Sequence, residues 1–204
     1  MTTIRTRLDP TDERLRTVCK DISLRELRLK KNQQVIDALL EFVYARNNKG
    51  EKHNRKKPTI IGLSANQVGV MERICIVDLA VRRNNYSDVH VLINPHILWK
   101  SKTTNLRKEG CVNLPNVWGY VARSQKIDVS YVDRWGNAYT VRAVGWAATL
   151  IQHEVDHLNG YLFIDRLSDP KKALLVRDED LVAYKKDPKN WNTFTDVSRL
   201  CRSL

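Results

Sequence analysis

The stretch best equipped for chemistry is Gln152-His153-Glu154-Val155-Asp156-His157, which contains the spacing His-Glu-x-x-His. On a helix, residues i and i+4 share a face one turn apart, so two imidazoles there can converge on a single metal ion. Glu154, beside the first histidine, is then placed to act as general base toward a metal-bound water, whose pKa falls toward ~7. A charged helix also produces this short pattern by chance, with no metal involved. The flanks favour the chemical reading. Leu150, Ile151 and Leu158 imply a partly buried helix, and buried histidine and glutamate side chains need partners that a metal can supply. Asp156 reads either as a support for the ligands or as a solvated helix charge.

A catalytic metal of this type takes three protein ligands and leaves one position open. The other histidines are His53, in a basic stretch, and His90 and His96, in or just after an expected strand. Cys111, in Glu109-Gly110-Cys111-Val112-Asn113-Leu114-Pro115, is the stronger third ligand, because Gly110 permits close backbone approach. Taken alone, Cys111 reads more readily as a small buried apolar residue than as a ligand. That reading is kept for Cys19, Cys75 and Cys201, which form no CxxC pair and no disulfide framework.

These residues need elements to position them. A helix from about Trp146 to Asn159, closed by Gly160 at C′, carries the histidine pair. Apolar stretches at 59–63, 73–81 and 89–93 read as strands. Residues 126–132 and 138–144 alternate, and the five residues from Asp133 to Asn137 between them signal a hairpin. Ser23-Leu24-Arg25-Glu26 reads as a capping box that opens a helix, with Ile36, Leu39, Leu40, Val43 and Tyr44 at helical spacing. A turn is expected at Asp9-Pro10, a mobile basic surface loop at 47–58, and a helix near 171–184. The fold class expected is α+β, with mostly antiparallel sheets around a central metal-binding helix.

The chain has 204 residues, enough for one domain with a terminal extension. Its apolar share of 42% suits a soluble domain with one sizeable core. Lys and Arg number 35 against 23 Asp and Glu, a formal net charge of +12. Such an excess marks either an anionic partner, such as nucleic acid, or simply a solvated basic surface. There is no apolar run long enough to span a bilayer, and early acidic residues (Asp9, Asp12, Glu13) argue against a secretory or intact transit signal. The expected compartment is the cytoplasm, or an organelle after processing.

Taken together, the motifs resemble the peptide deformylase family. Gly62-Leu63-Ser64-Ala65-Asn66-Gln67 is similar to the end of the family's GxGLAAxQ, and the Glu109–Pro115 segment is similar to EGCLSxP. Gln152–Gly160 matches QHExDHLxG at every fixed position, and Asp9-Pro10 with Leu15-Arg16 is similar to the family's opening. The resemblance covers roughly residues 4–168. It divides the chain into a catalytic domain at 1–168 and a C-terminal extension of unknown role at 169–204.

The resemblance implies hydrolysis of the N-formyl group from the initiator methionine of new peptides. It implies one divalent metal held by Cys111, His153 and His157, expected to be Fe(II) in the cell, with Zn, Ni or Co also able to bind. Metal-bound hydroxide would attack the formyl carbon while Glu154 moves the proton to the leaving amine. The Gln67 amide and the Val112 backbone N–H would stabilise the oxyanion. Gly62, Ile61, Glu109, Gly110, Trp118, Trp146 and Leu150 are the expected substrate contacts, with Arg107 and Thr149 near the methionine pocket. Departures are Ile60 for a glycine, Ser64 for an alanine, Val112 for Leu, Asn113 for Ser, and Trp118 where the family often has an arginine. Partners expected are N-formylmethionyl peptides and, through the basic surface, ribosomal RNA; no membrane is expected. The altered pocket leaves two further readings: an amidohydrolase of the same type acting on another formamide, and a non-catalytic binding protein of the same fold.

Overall fold

The computed structural model describes residues 6–44, 60–80 and 87–202. Two antiparallel sheets flank one buried helix. Strands β1 (Gly62–Ser64), β2 (Ile74–Asp78), β3 (Val89–Lys100), β6 (Lys126–Val132) and β7 (Ala138–Val144) form a five-stranded sheet in that order. Strands β4 (Thr104–Cys111), β5 (Leu114–Ser124), β8 (Ala173–Leu175) and β9 (Phe194–Thr195) form the second, four-stranded sheet. The helices are α1 (Leu24–Leu27), α2 (Lys30–Val43), α3 (Trp146–Leu158) and α4 (Leu181–Lys186).

Strand β2 shows how the first sheet is held. Its five residues are all buried, because successive side chains point to opposite faces and both faces are covered. Cys75 and Val77 pack with Leu150, Ile151 and Val155 of α3. Ile74 and Ile76 pack instead with Ile36 and Leu39 of α2. At about 1.5–3 kcal/mol for each fully buried aliphatic side chain, this one strand anchors two layers.

Helix α3 follows the expected boundaries and is buried from Ala148 to Leu158. Gly160 just beyond it sits at φ +77, and a Cβ there would lie 2.4 Å from the Arg16 carbonyl oxygen. Only glycine lets the chain turn left-handed against that neighbouring backbone. The N-terminal segment is also tied to this end, since the Cys19 N–H donates to the Leu158 carbonyl at 2.9 Å.

The hairpin of β6 and β7 has the expected bounds, and Asp133 Oδ1 accepts from the N–H groups of Trp135 and Asn137. The Ser23–Glu26 capping box is present, but α1 lasts a single turn, and α2 starts afresh after Leu29 in extended backbone. Of the described residues in the strand expected at 59–63, only Gly62 and Leu63 belong to β1, and the strand expected at 89–93 runs on to Lys100 through register shifts at Ile93–His96 and Ile97–Trp99. The helix expected near 171–184 is replaced by a 3-10 turn, β8 and the short α4. Ala173 and Leu174 are needed as buried strand residues beside β5, which overrides their helical propensity. The loop expected at 47–58 lies outside the described residues.

Candidate metal centre

Three elements bring the donors together. His153 and His157 lie one turn apart on α3, and Cys111 is the last residue of β4. Their ligand atoms all lie within 4.8 Å of one another. The two Nε2 atoms are 3.1 Å apart, and Cys111 Sγ is 3.4 Å from His157 Nε2. His153 Nδ1 lies 2.8 Å from Glu109 Oε2, so a proton on Nδ1 leaves the Nε2 lone pair aimed at the centre. Two imidazole nitrogens and a sulfur facing one another at these separations repel unless a proton or a cation lies between them. The donor set therefore fits a divalent metal ion of the Zn or Fe(II) type.

Behind the ligands runs a buried charge network. Arg123 grips Glu109 with two parallel bonds, Nε to Oε1 at 2.8 Å and Nη2 to Oε2 at 2.9 Å. Its remaining nitrogen donates to Asp156, which also accepts from Arg166 at 2.8 Å. Burial alone would push the Glu109 carboxyl up, but the bonds from Arg123 and His153 outweigh it and hold it at about 2. Burial likewise favours neutral His153, yet its bonds to Cys111 and Glu109 lift the metal-free imidazole to about 10. His157 is driven the opposite way, well below its usual range, by burial and by the charge of His153. This divergence is the response of two neighbouring imidazoles that share one charge; a bound dication would make both neutral ligands.

Glu154 faces the same space from α3. It is 2% exposed, and burial raises its carboxyl against the lowering effects of His153 and Ser64. The Ser64 hydroxyl lies 2.8 Å from Glu154 Oε2 and 2.9 Å from the Glu154 carbonyl oxygen. Gly62 keeps that space clear: a Cβ there would stand 2.3 Å from Glu154 Oε1. Gln67 sits in a 3-10 turn (Ala65–Val68) directly after β1. The Ser64 N–H donates to its Oε1 at 2.7 Å, which fixes the amide with its nitrogen toward Cys111 Sγ (3.2 Å) and Asn113 Oδ1 (2.9 Å). Asn113 is locked in turn by donating to the carbonyls of Leu8 and Gln67.

A cavity of about 350 Å³ opens onto these groups. Of the residues expected from sequence, Gln67, Val112, Gly62, Ile61, Glu109, Gly110, Trp118, Trp146, Leu150, Cys111, His153 and Glu154 line it. His157 lies fully buried behind them. Thr149 lines the cavity too, whereas Arg107 does not; its neighbour Lys108 does. The Glu109 carboxylate is committed to Arg123 and His153, which leaves its backbone to face the cavity.

Sequence reasoning missed Arg123, Lys108 and the locking role of Asn113. Arg123 had a usable signal. It falls on the inward phase of β5, where Val121 and Arg123 are buried and Ala122 is exposed, and a charge on an inward phase needs a buried partner.

Comparison with known proteins gives one family throughout. The family model described as polypeptide deformylase matches residues 4–173. The chain is 35% identical over 168 residues to a peptide deformylase of Methylocella silvestris, covering 81% of this chain and 78% of that protein. It superposes with a TM-score of 0.72 and 28% identity on a Synechococcus elongatus peptide deformylase solved with actinonin, covering 100% of this chain and 95% of that one. A Met-Ala-Ser-bound peptide deformylase from Acinetobacter baumannii matches with a TM-score of 0.69 and 29% identity, covering 82% of this chain and all of the other.

Proposed function

The chain belongs to the peptide deformylase family, and from that premise we propose how its own residues remove the N-formyl group from the initiator methionine of new peptides. The observation that carries the reading is the meeting of Cys111, His153 and His157 with Glu154 and Gln67 at one cavity. Residues 1–168 form the catalytic unit in this reading, and 169–204 an extension that adds β8 and β9 beside it.

Cys111, His153 and His157 would hold one divalent ion, Fe(II) in the cell, with Zn, Ni or Co as substitutes. When bound, that ion supplies Lewis-acid activation, bringing the pKa of a water toward ~7 and polarising the formyl oxygen. Glu154 takes a proton from the attacking water at its Oε atoms and returns it to the departing amine nitrogen. A carboxyl raised by burial is suited to this, since it holds a proton more readily than an exposed one. Ser64 keeps one Glu154 oxygen oriented during both transfers. Gln67 Nε2 and the Val112 N–H donate to the oxygen where negative charge gathers; Ser64 and Asn113 hold the Gln67 amide in place, and its N–H toward Cys111 Sγ is the one that turns to that oxygen. Ile61, Trp146 and Leu150 line an apolar recess that suits the methionine side chain.

The net charge of +12 supports a second proposal, contact with ribosomal RNA near emerging chains. Loss of cosedimentation with ribosomes as salt rises is the expected outcome; no cosedimentation even at low salt would remove it. Among the described residues no helix is long and apolar enough to cross a membrane. The compartment proposed is the cytoplasm, or an organelle lumen after processing.

The deciding experiment is hydrolysis of formyl-Met-Ala-Ser by anaerobically purified protein, with metal counted on the same sample. Turnover with about one metal per chain is expected, together with loss of turnover but retained metal in Glu154→Ala. Bound metal without turnover would redirect the reading to another formamide. Neither metal nor turnover would favour the binding-protein alternative.

A further inference from the structure

The cavity rim carries a cation that the deformylation chemistry does not use. Lys108, on β4, is the only lysine or arginine among the described residues lining the cavity. Its Nζ lies 4.6 Å from the ring centre of Trp118 and 4.3 Å from that of Tyr184, and it donates to the Tyr184 hydroxyl. Among the described residues it has no carboxylate within salt-bridge distance.

The C-terminal extension holds this arrangement. Tyr184 of α4 packs edge-on against Trp191, 5.6 Å between ring centres. Trp191 Nε1 donates to the Leu175 carbonyl at 2.8 Å, and Leu174 and Leu175 of β8 pair with Trp118 and Val117 of β5. The extension thus touches the cavity-lining Lys108 through Tyr184, and Lys108 is held between Tyr184 and Trp118. The Trp118 ring and the Tyr184 hydroxyl fix the ammonium while leaving its full charge without a counter-ion.

Lys108 precedes Cys111 by three residues on the same strand, a run of about 10 Å at ~3.3 Å per residue. An extended peptide whose formyl-methionine lies at the donors covers that length in about three further residues. The other charged side chains on the cavity wall are already engaged: Glu109 with Arg123, and Glu154 with Ser64. We infer that Lys108 makes the enzyme select formyl-methionyl peptides bearing a carboxylate about three residues beyond the methionine. This rests on the deformylase reading, and the site specified is one of substrate preference within it.

The test uses the full metal-loaded protein and amidated peptides formyl-Met-Ala-Ala-Xaa-amide, where Xaa is Glu, Gln or Lys. The kcat/KM should fall in the order Glu, Gln, Lys by about two- to fivefold at each step, within the range of a partly exposed ion pair. The difference should lie in KM and shrink at about 0.5 M salt. In Lys108→Met the Glu-to-Lys ratio should fall to about one, and Lys108→Arg should retain it. Formyl-Met-Ala-Ala as free acid and as amide separates a chain-terminal carboxylate from a side-chain one. Calorimetric binding of the unformylated Met-Ala-Ala-Glu-amide and Met-Ala-Ala-Lys-amide reads the same preference without turnover. Equal affinity for those two peptides, or a preference that survives Lys108→Met, would overturn the inference. Inert formyl peptides with a preserved charge preference in binding would instead overturn the deformylase reading alone.

Discussion

Replacing Arg123 by methionine should cost this protein more stability than any single change at the metal ligands. Methionine keeps the apolar stem of the side chain but removes the guanidinium and its charge, so Glu109 and Asp156 are left buried without their shared partner. Their side chains are 6% and 9% exposed in the intact ion pairs, so water cannot replace the guanidinium without opening the layer between β5 and α3. Breaking a buried pair on one side typically costs about 3–5 kcal/mol. The lowered Glu109 carboxyl agrees in direction, because the hydrogen bonds from Arg123 are the largest of the effects that overcome its burial. For a chain of this size the loss should lower Tm by about 6–20 °C. Calorimetric or urea unfolding of metal-free parent and Arg123→Met at pH 7 measures it, and Glu109→Gln in the Arg123→Met background should recover part of the loss. A deficit under about 1 kcal/mol would refute the reasoning, because it would mean that the two carboxylates find solvent or protons at little cost.

The same carboxylate sets an acid limit. Because Glu109 is depressed on folding, its contribution is complete above about pH 5 and is lost as pH falls toward about 2, so the urea midpoint of the parent should fall across that window and that of Arg123→Met should be flatter there. Ser64→Ala should fold and bind metal as the parent does but lose about three- to tenfold in kcat with little change in KM, the scale of one ordinary hydrogen bond; steady-state kinetics with metal counting checks it. Gly160→Ala should destabilise by more than about 1 kcal/mol, since it combines positive φ with a backbone clash at Arg16, and thermal unfolding reads it directly.

Much of the centre was legible because its chemistry is local. The spacing of His153, Glu154 and His157 already specifies one helical face, and the apolar residues flanking them, Leu150, Ile151 and Leu158, specify burial. The hairpin of β6 and β7 was legible for a related reason: its side chains alternate cleanly and its turn carries Asp133 and Gly136. Strands β4 and β5 were not. Their sequences hold Lys108, Gly110, Pro115 and Gly119, which weaken strand propensity, and they form because each pairs with the other along nearly its whole length. Cys111 and Arg123 both ride on that pairing. Its register places Cys111 opposite Leu114, and the position of Arg123 facing Glu109 depends on contacts 14 residues apart. The tail misled for the mirror-image reason. Ala173 and Leu174 look helical in isolation, and only the free edge of β5 makes them a strand.

The burial of α3 on all sides has a consequence for how the centre ages. Amides that open only when the whole domain opens exchange their hydrogens slowest, and the helix bearing His153, Glu154 and His157 belongs to that class, enclosed as it is by both sheets. The cavity wall opposite, carried by β4, β5 and the short terminal strands, has exposed residues along its length. Substrate recognition and the Cys111 ligand therefore share a more exposed wall, while the two histidines stay in place for as long as the helix does. A population that has lost metal without unfolding should regain it in the original geometry, because the frame that holds the donors outlives their occupant.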